Sequence, residues 1–431
     1  MHFHLRHYAA SLLAGAVLVS LPFAAGCSLR VGHKTVGEDN TATAGGDGGV
    51  TGGPVTGADA SPDAGPPPPP PSACARNGNE MKIATGPGGS DTFAWIWDTD
   101  HYVVAYNDRT TGNGDIYTVL LKADGSPMGA PQVVESTDAI SDLPNLVKTQ
   151  NGYLVVWQEG SAGKSAYAHA IDKNGVPVGK GISIGATASN ESRPVISAAP
   201  GGFAVAFMDK PIGEPTVQVA FLDGNMNLTG PTSFASSSGF PWLAGDENGV
   251  GMIWSDRRAG AGFDIHFARL DTKLAPVGET PLRSGVPNDA LLGRMIHTTF
   301  GFMSAWEDMR GDDNQIFMAL TDPNGKQIYN GLVEEPNSGD ANWPNIAWTG
   351  SAAAVVYYQF RNDDPQIFMS FIDGAGKRVG GLHDLQVSAN PKGTMARFPD
   401  VVWTGSEFGV AWVDTREGKP ELYFAHVTCK N

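Results

Sequence analysis

An aromatic residue closing a short apolar run recurs seven times along this chain, at Tyr106, Trp157, Phe207, Trp254, Trp306, Tyr357 and Trp412. Successive spacings are 51, 50, 47, 52, 51 and 55 residues. A period near fifty residues marks one supersecondary unit copied along the chain, each copy unable to bury its apolar face without a neighbour. The repeat confines the fold to a radial or stacked array before any single residue is considered.

Each copy reads as four strands. Around Tyr357 they run from Asn345 to Trp348, Ala352 to Tyr358, Gln366 to Ile372 and Asp384 to Ser388, bounded by Gly, Asp, Asn and Pro. No segment after Cys74 carries sustained helical periodicity, so an all-β fold is expected. The third strand recurs, for example as Ile116-Tyr117, Ile316-Phe317 and Ile367-Phe368. An acid-led turn follows it at Asp124, Asp172, Asp223, Asp271, Asp322 and Asp373. Aspartate suits such a turn because its carboxylate can accept from the backbone just ahead of it.

The last copy stops after its third strand near Val427, while Met81-Lys82-Ile83-Ala84 stands alone ahead of the first copy. An N-terminal strand that completes the last blade leaves no open edge. The expected architecture over residues 74–431 is a seven-bladed β-propeller of four-stranded antiparallel blades, ring-closed by that strand. An open β-solenoid is the alternative.

Residues 1–26 combine a weakly basic start with an apolar run too short to span a bilayer, the pattern of an export signal. The run ends in Leu21-Pro22-Phe23-Ala24-Ala25-Gly26-Cys27, which resembles the lipobox of bacterial lipoproteins. That resemblance implies cleavage before Cys27 and its acylation, with Ser28 pointing to the outer membrane of a Gram-negative bacterium. A plain signal peptide with a free Cys27 is the alternative. Residues 27–73 hold Gly-Gly pairs and the proline run Pro66 to Pro71 with almost no large apolar side chains, and read as a disordered tether.

The chain has three cysteines. With Cys27 assigned to lipid, Cys74 and Cys429 remain at the two ends of the repeat region, where ring closure brings them together. A Cys74–Cys429 disulfide is expected in an exported protein. The formal net charge of −16 argues against nucleic acid and against wholesale binding to anionic membranes, leaving the lipid as the only membrane contact.

The core of one repeat, Trp254-Ser255-Asp256-Arg257 with Asp264-Ile265 and Leu270-Asp271, is echoed by Trp412-Val413-Asp414-Thr415-Arg416 and by Asp108-Arg109 with Asp115-Ile116-Tyr117. It resembles the bacterial secreted propellers grouped with sialidase-like and TolB-like repeats, across nearly all of residues 80–431. The resemblance implies architecture far more than activity, because one propeller fold hosts many functions.

Candidate sites emerge from the repeat frame. An acid stands two residues after most anchors, at Asp108, Glu159, Asp209, Asp256, Asp308 and Asp414, with Gln359 in the remaining copy. So many equivalents point to scaffolding that accepts backbone and arginine hydrogen bonds. The turns Arg310 to Asn314 and Asn362 to Asp364 offer hard oxygens to calcium but lack the spacing of a dedicated loop, so no metal ligand is assigned. No cofactor motif and no catalytic residue is assigned either.

Arg193, Arg294 and Arg397 fall where an outer strand returns to the next inner strand, in the third, fifth and seventh repeats. Three guanidiniums converging on one mouth of a central channel form a site for carboxylate or phosphate. Trp242 and Trp343 could add aromatic faces for a sugar ring or an apolar ligand. The competing reading pairs each arginine with a local acid, Glu191, Asp289 or Asp400.

The expected function is a noncatalytic binding module for a protein or glycan, monomeric and without a cofactor. The alternatives are a sialidase-like glycoside hydrolase and an envelope structural protein. Sialidase boxes of the S-x-D-x-G-x-T-W kind are absent from the sequence, and no Tyr and Glu nucleophile pair can be assigned from it. A carboxylate and a tyrosine beside the arginines would discriminate.

Overall fold

The computed structural model describes residues 71–430, except Ala84, Ala162, 186–190, 211–214, Ala261, Asp312, Asn337, Asp363 and 380–382. The export signal, Cys27 and nearly all of the tether lie outside the described residues. So do Asp312 and Asp363 of the two acid-rich turns.

Seven four-stranded antiparallel sheets form the blades of a ring, a seven-bladed β-propeller. No helix occurs among the described residues. Within each sheet sequence order is spatial order, and the first strand of each blade touches the first strands of its neighbours. Those innermost strands are Phe93–Asp98, Ser141–Lys148, Val195–Ala199, Ser238–Asp246, Ala290–Thr298, Ala341–Trp348 and Ala396–Trp403, for blades 1 to 7.

Blade 7 is the exception in chain order. Its strands run Ala396–Trp403, Phe408–Asp414 and Glu421–Lys430, and its outermost strand is the N-terminal Ala73–Lys82. The closing strand is ten residues long and ends at Lys82, so it takes in only Met81 and Lys82 of the run that signals it in sequence and lies mostly ahead of that run. Cys74 lies opposite Cys429 in the register, and the two form a disulfide.

The core is divided into seven apolar clusters, one in each seam between adjacent blades. Every second strand is buried on both faces, which is why these strands read as continuous apolar runs rather than alternating ones. Each of the seven anchors is no more than 1% exposed and sits in the seam facing the preceding blade. Trp306 of blade 5, for example, packs with Ile265 and Phe267 of blade 4, and Trp412 of blade 7 with Met369 and Phe371 of blade 6. The anchor period is thus the period of interblade contact.

Candidate functional site at the centre of the ring

The innermost strands share a local distortion. In blades 2 to 7 one residue near the strand start has a left-handed backbone: Leu143, Arg193, Phe240, Leu292, Trp343 and Phe398, with φ of 49°, 45°, 54°, 56°, 55° and 54°. Five of the six precede proline; Gly293 stands in the sixth place. In five blades the strand pairing breaks across this point, as between Leu291 and Arg294 or Arg397 and Asp400. It is a bulge repeated around one end of the ring. A bulky residue in this region is strained by about 1–3 kcal/mol.

Side chains of the preceding blade accept from the bulges of blades 2, 3 and 6. Gln158 Oε1 accepts the N–H groups of Ser192 and Arg193 at 2.7 and 3.0 Å. In the equivalent position of blade 5, Glu307 accepts the Trp343 N–H at 2.6 Å. Two residues after the left-handed position, Asn145 accepts from Ile196 in the next blade at 3.3 Å. Asp400 occupies that place in blade 7 and accepts the Val401 N–H at 2.7 Å and that of Trp95 in blade 1.

The bulge separates the three arginines by position. Arg193 is itself the left-handed residue, Arg294 lies two residues after it in blade 5, and Arg397 one residue before it in blade 7. Arg294 and Arg397 lie inside their innermost strands rather than ahead of them.

Contacts between non-adjacent blades show where these side chains meet, since only the axis lets such blades touch. Arg193 of blade 3 lies 5.2 Å from the Phe240 ring centre and 5.5 Å from that of Trp343 in blade 6. Arg294 lies 4.2 Å from Trp242 and 5.6 Å from Trp343. Trp343 is thus shared by two guanidiniums, each also lying over a second ring. Trp343 packs edge-on to Phe398 at 4.7 Å, and Phe398 to Tyr358 at 6.1 Å. Arg397 reaches the same chain of rings from the far side, 5.9 Å from Tyr358 and 6.0 Å from Phe360. Arg193, Arg294, Arg397, Trp242 and Trp343 therefore belong to one connected cluster.

The pairing of each arginine differs. Arg193 bonds Glu191 through Nε at 2.8 Å and Nη2 at 3.1 Å. Asp289 is turned away from Arg294, accepting from Phe263 N–H and lying 3.9 Å from Arg257. Arg294 donates to the Gly293 carbonyl at 3.2 Å, while its Nε–H has no acceptor. Among the described residues no carboxylate comes within 4.0 Å of its guanidinium.

Burial, and then the Arg193 charge, push Arg294 down to about 10, against the pull of Asp400 and Glu307. Burial pushes Glu307 and Asp400 up to about 7 in spite of their backbone donors and the arginines. Burial, and secondarily the Glu307 charge, raises Tyr358. Arg294 and Asp400 nevertheless keep part of their surface open.

Sequence reasoning missed Glu307, Tyr358, Phe240 and Phe398 as members of this cluster, and had Asp400 only as a local partner. Two signals could have found them: the recurring x-Pro of Leu143-Pro144, Phe240-Pro241 and Phe398-Pro399, and the acid at position 307 where blade 2 has Gln158.

Elsewhere, the acids after the anchors clasp their own blade. Asp256, Asp308 and Asp414 accept the indole N–H of Trp254, Trp306 and Trp412 at 2.9, 3.0 and 2.9 Å. An open cleft of about 420 Å³ lies on blade 6, with Arg361, Phe368 and Lys392 in its lining. Its guanidinium is already tied to Asp384 at 2.5 Å. Among the described residues no group of three His, Cys, Asp or Glu side chains is placed to hold a metal ion.

No protein-family model and no curated protein sequence matches the chain. Solved structures do resemble it. A protein of unknown function from Dyadobacter fermentans matches with a TM-score of 0.53 at 10% identity, over 83% of this chain and all of that one. An α-L-arabinofuranosidase from Fusarium graminearum, solved with an iminosugar inhibitor, gives 0.46 at 11% identity over 66% and 92% of the two chains. A mutant Trypanosoma rangeli sialidase displaying trans-sialidase activity gives 0.44 at 7% identity over 83% and 60%. At these identities the likeness is one of architecture, and the architecture is the β-propeller.

Proposed function

We propose that this protein is an exported β-propeller, lipid-anchored through Cys27, that acts as a monomeric, cofactor-free binding module. Its central cluster takes an anionic, ring-bearing ligand, either a glycan or an acidic group on a partner protein. The observation that carries the reading is Arg294: a guanidinium lying over Trp242 and Trp343, with an unused donor and no carboxylate in contact. Such a group offers a charge-assisted hydrogen bond beside apolar faces that suit a sugar ring.

Calorimetric titration of the full chain with acidic and neutral oligosaccharides tests this. Arg294→Ala is expected to weaken the acidic ligand at least about tenfold, equivalent to about 1.4 kcal/mol, and to leave neutral sugars unchanged. Equal affinity for the two classes in the native protein would remove the reading. For the anchor, Cys27→Ala is expected to move the protein from the membrane fraction to the soluble one.

A glycoside hydrolase is the second reading, favoured by Glu307 and Tyr358 standing near the arginines in blades 5 and 6. Absence of sugar release from any acidic glycan that binds would set it aside.

A further inference from the structure

The blades serve as controls for one another. The bulges of blades 3 and 6 each take an acceptor from the residue after the preceding anchor, and blade 2 supplies it with the amide Gln158. Two residues after its bulge, blade 2 offers a cross-blade acceptor to the inner strand of blade 3 with the amide Asn145. Blade 6 also has an amide there, Asn345. Amides therefore suffice for the architecture. In two places acids replace them, Glu307 on the strand beside Arg294 in blade 5 and Asp400 in the non-adjacent blade 7, and the charge of each acts on Arg294. Neither forms an ion pair with it within 4.0 Å.

Resting on the anionic-ligand reading above, we infer that Glu307 and Asp400 are the proton acceptors of this site, so that an anion enters the centre together with a proton. Charge bookkeeping on named groups supports it. With both acids ionised, the two carboxylates cancel the charges of Arg294 and Arg397, and an incoming anion meets no net positive charge. With both protonated the sum is two positive charges, and each carboxyl gains an O–H that can donate. Burial places both acids where this change is accessible, each poised at about 7.

The other charged groups around the site do not supply the same change. Blade 3 contributes Arg193, neutralised by Glu191 at 2.8 Å. Blade 2 contributes Asp142, which burial also raises but which has a cation of its own, Lys164 at 3.6 Å, and accepts from the Gln158 amide. Blade 6 contributes Tyr358, raised by burial, with Asp340 acting on it from a distance. Blade 7 adds Arg397 over Tyr358 and Phe360. Blade 4 adds the uncharged Phe240 and Trp242, and blade 1 the Trp95 N–H to Asp400.

Calorimetric titration of the full chain with glucuronate and with glucose 6-sulfate at pH 5.5 and 8.5 tests the inference, because both probes stay ionised across that range. The native protein is expected to bind at least one of them about tenfold or more tightly at pH 5.5. The heat should vary with buffer ionisation enthalpy as protons are taken up. Glu307→Gln with Asp400→Asn restores the amides that other blades already use, so the variant should fold. It should bind at both pH values about as the native protein does at 5.5.

Anion binding that is lost in Arg294→Ala but equal at the two pH values in the native protein would overturn the inference and leave the binding reading standing. A pH dependence that survives in the double amide variant would overturn it as well. Failure of both probes to bind at either pH would remove the anionic-ligand reading and the inference together. Binding by glucuronate alone assigns a carboxylate ligand, and by glucose 6-sulfate alone a sulfate ester, each supporting the inference when it carries the expected pH dependence.

Discussion

The clasp formed by Trp306 and Asp308 shows how a single carboxylate serves several partners at once. Asp308 is fully buried and accepts from the Trp306 indole at 3.0 Å, the Arg310 N–H at 3.0 Å and the Arg310 side chain, with Arg283 3.4 Å away. Burial alone would raise its pKa, but bonds from Arg310 and Trp306 outweigh it and hold the carboxyl below the usual range. Its stabilisation is therefore present above the unfolded value and lost as pH falls through the lower folded one. Asp308→Ala leaves the buried Trp306 indole N–H without its acceptor, while Arg283 keeps Asp264 at 2.8 Å, and should cost about 1–3 kcal/mol in urea unfolding at pH 7. Glu334 has the opposite sign. Burial pushes it up to about 8, although both its oxygens accept the Ile316 N–H. Its contribution is complete below the unfolded pKa and drains away as pH rises through 8. Glu334→Gln keeps an acceptor for Ile316 without the charge, and should stabilise the protein by about 1–3 kcal/mol at pH 7, the gain shrinking towards pH 5. A gain that does not grow with pH would show that Glu334 is not buried as an acid.

At the scale of the strand, Ala73–Lys82 is the element that turns an array into a ring. Besides its ladder and the disulfide, it carries Glu80, whose Oε2 meets Arg416 at 2.6 Å, and Lys82, 2.7 and 3.2 Å from Glu417 and Glu421. The bridge closes a loop of 355 residues, so loop-closure entropy sets an upper stabilisation of about 6 kcal/mol. Cys74→Ser should lower the urea midpoint towards that extent. Under reductant the native protein should match the variant, and two curves that still differ would show that the cysteine matters by packing rather than by the bond. This element was legible in sequence because an orphan strand, a missing last strand and two end cysteines all point to one closure. The arginine positions were not legible in the same way. Arg193, Arg294 and Arg397 stand 14, 12 and 15 residues ahead of the anchors Phe207, Trp306 and Trp412, but those offsets do not say where each points, because a bulge inserts a residue and re-aims the side chains beyond it. An arginine before, at or after the left-handed residue reaches a different neighbour: Tyr358 and Phe360, Phe240 and Trp343, or Trp242 and Trp343. The acids Glu307 and Asp400 escaped notice for a related reason. Their partners come from other blades, and a repeat read along the chain shows what is equivalent but not what meets across the axis.

For the whole molecule, the cationic centre and the acidic body make opposing demands on an anionic ligand. The chain carries 29 Lys and Arg against 45 Asp and Glu, and many acids lead exposed turns, as Asp172, Asp223 and Asp271 do. A ligand approaching from solvent meets a negative field first, and feels Arg294 only near the axis. Salt acts unequally on the two. Exposed charges are screened beyond a Debye length of about 8–10 Å near physiological ionic strength, while buried groups are screened much less. Raising ionic strength should therefore relieve the repulsion more than it weakens the local attraction. The association rate of an acidic oligosaccharide should rise, by about twofold between about 0.01 and 0.15 M salt, the reverse of steering into a basic surface. The dissociation rate should change less, since it is set by short-range contacts with Arg294, Trp242 and Trp343. Stopped-flow indole fluorescence reads both rates in one experiment, with Trp242 and Trp343 at the cluster as reporters. An association rate that falls with salt would mean that the ligand lands on an exposed basic patch of the rim instead, and would move the search for the site away from the centre of the ring.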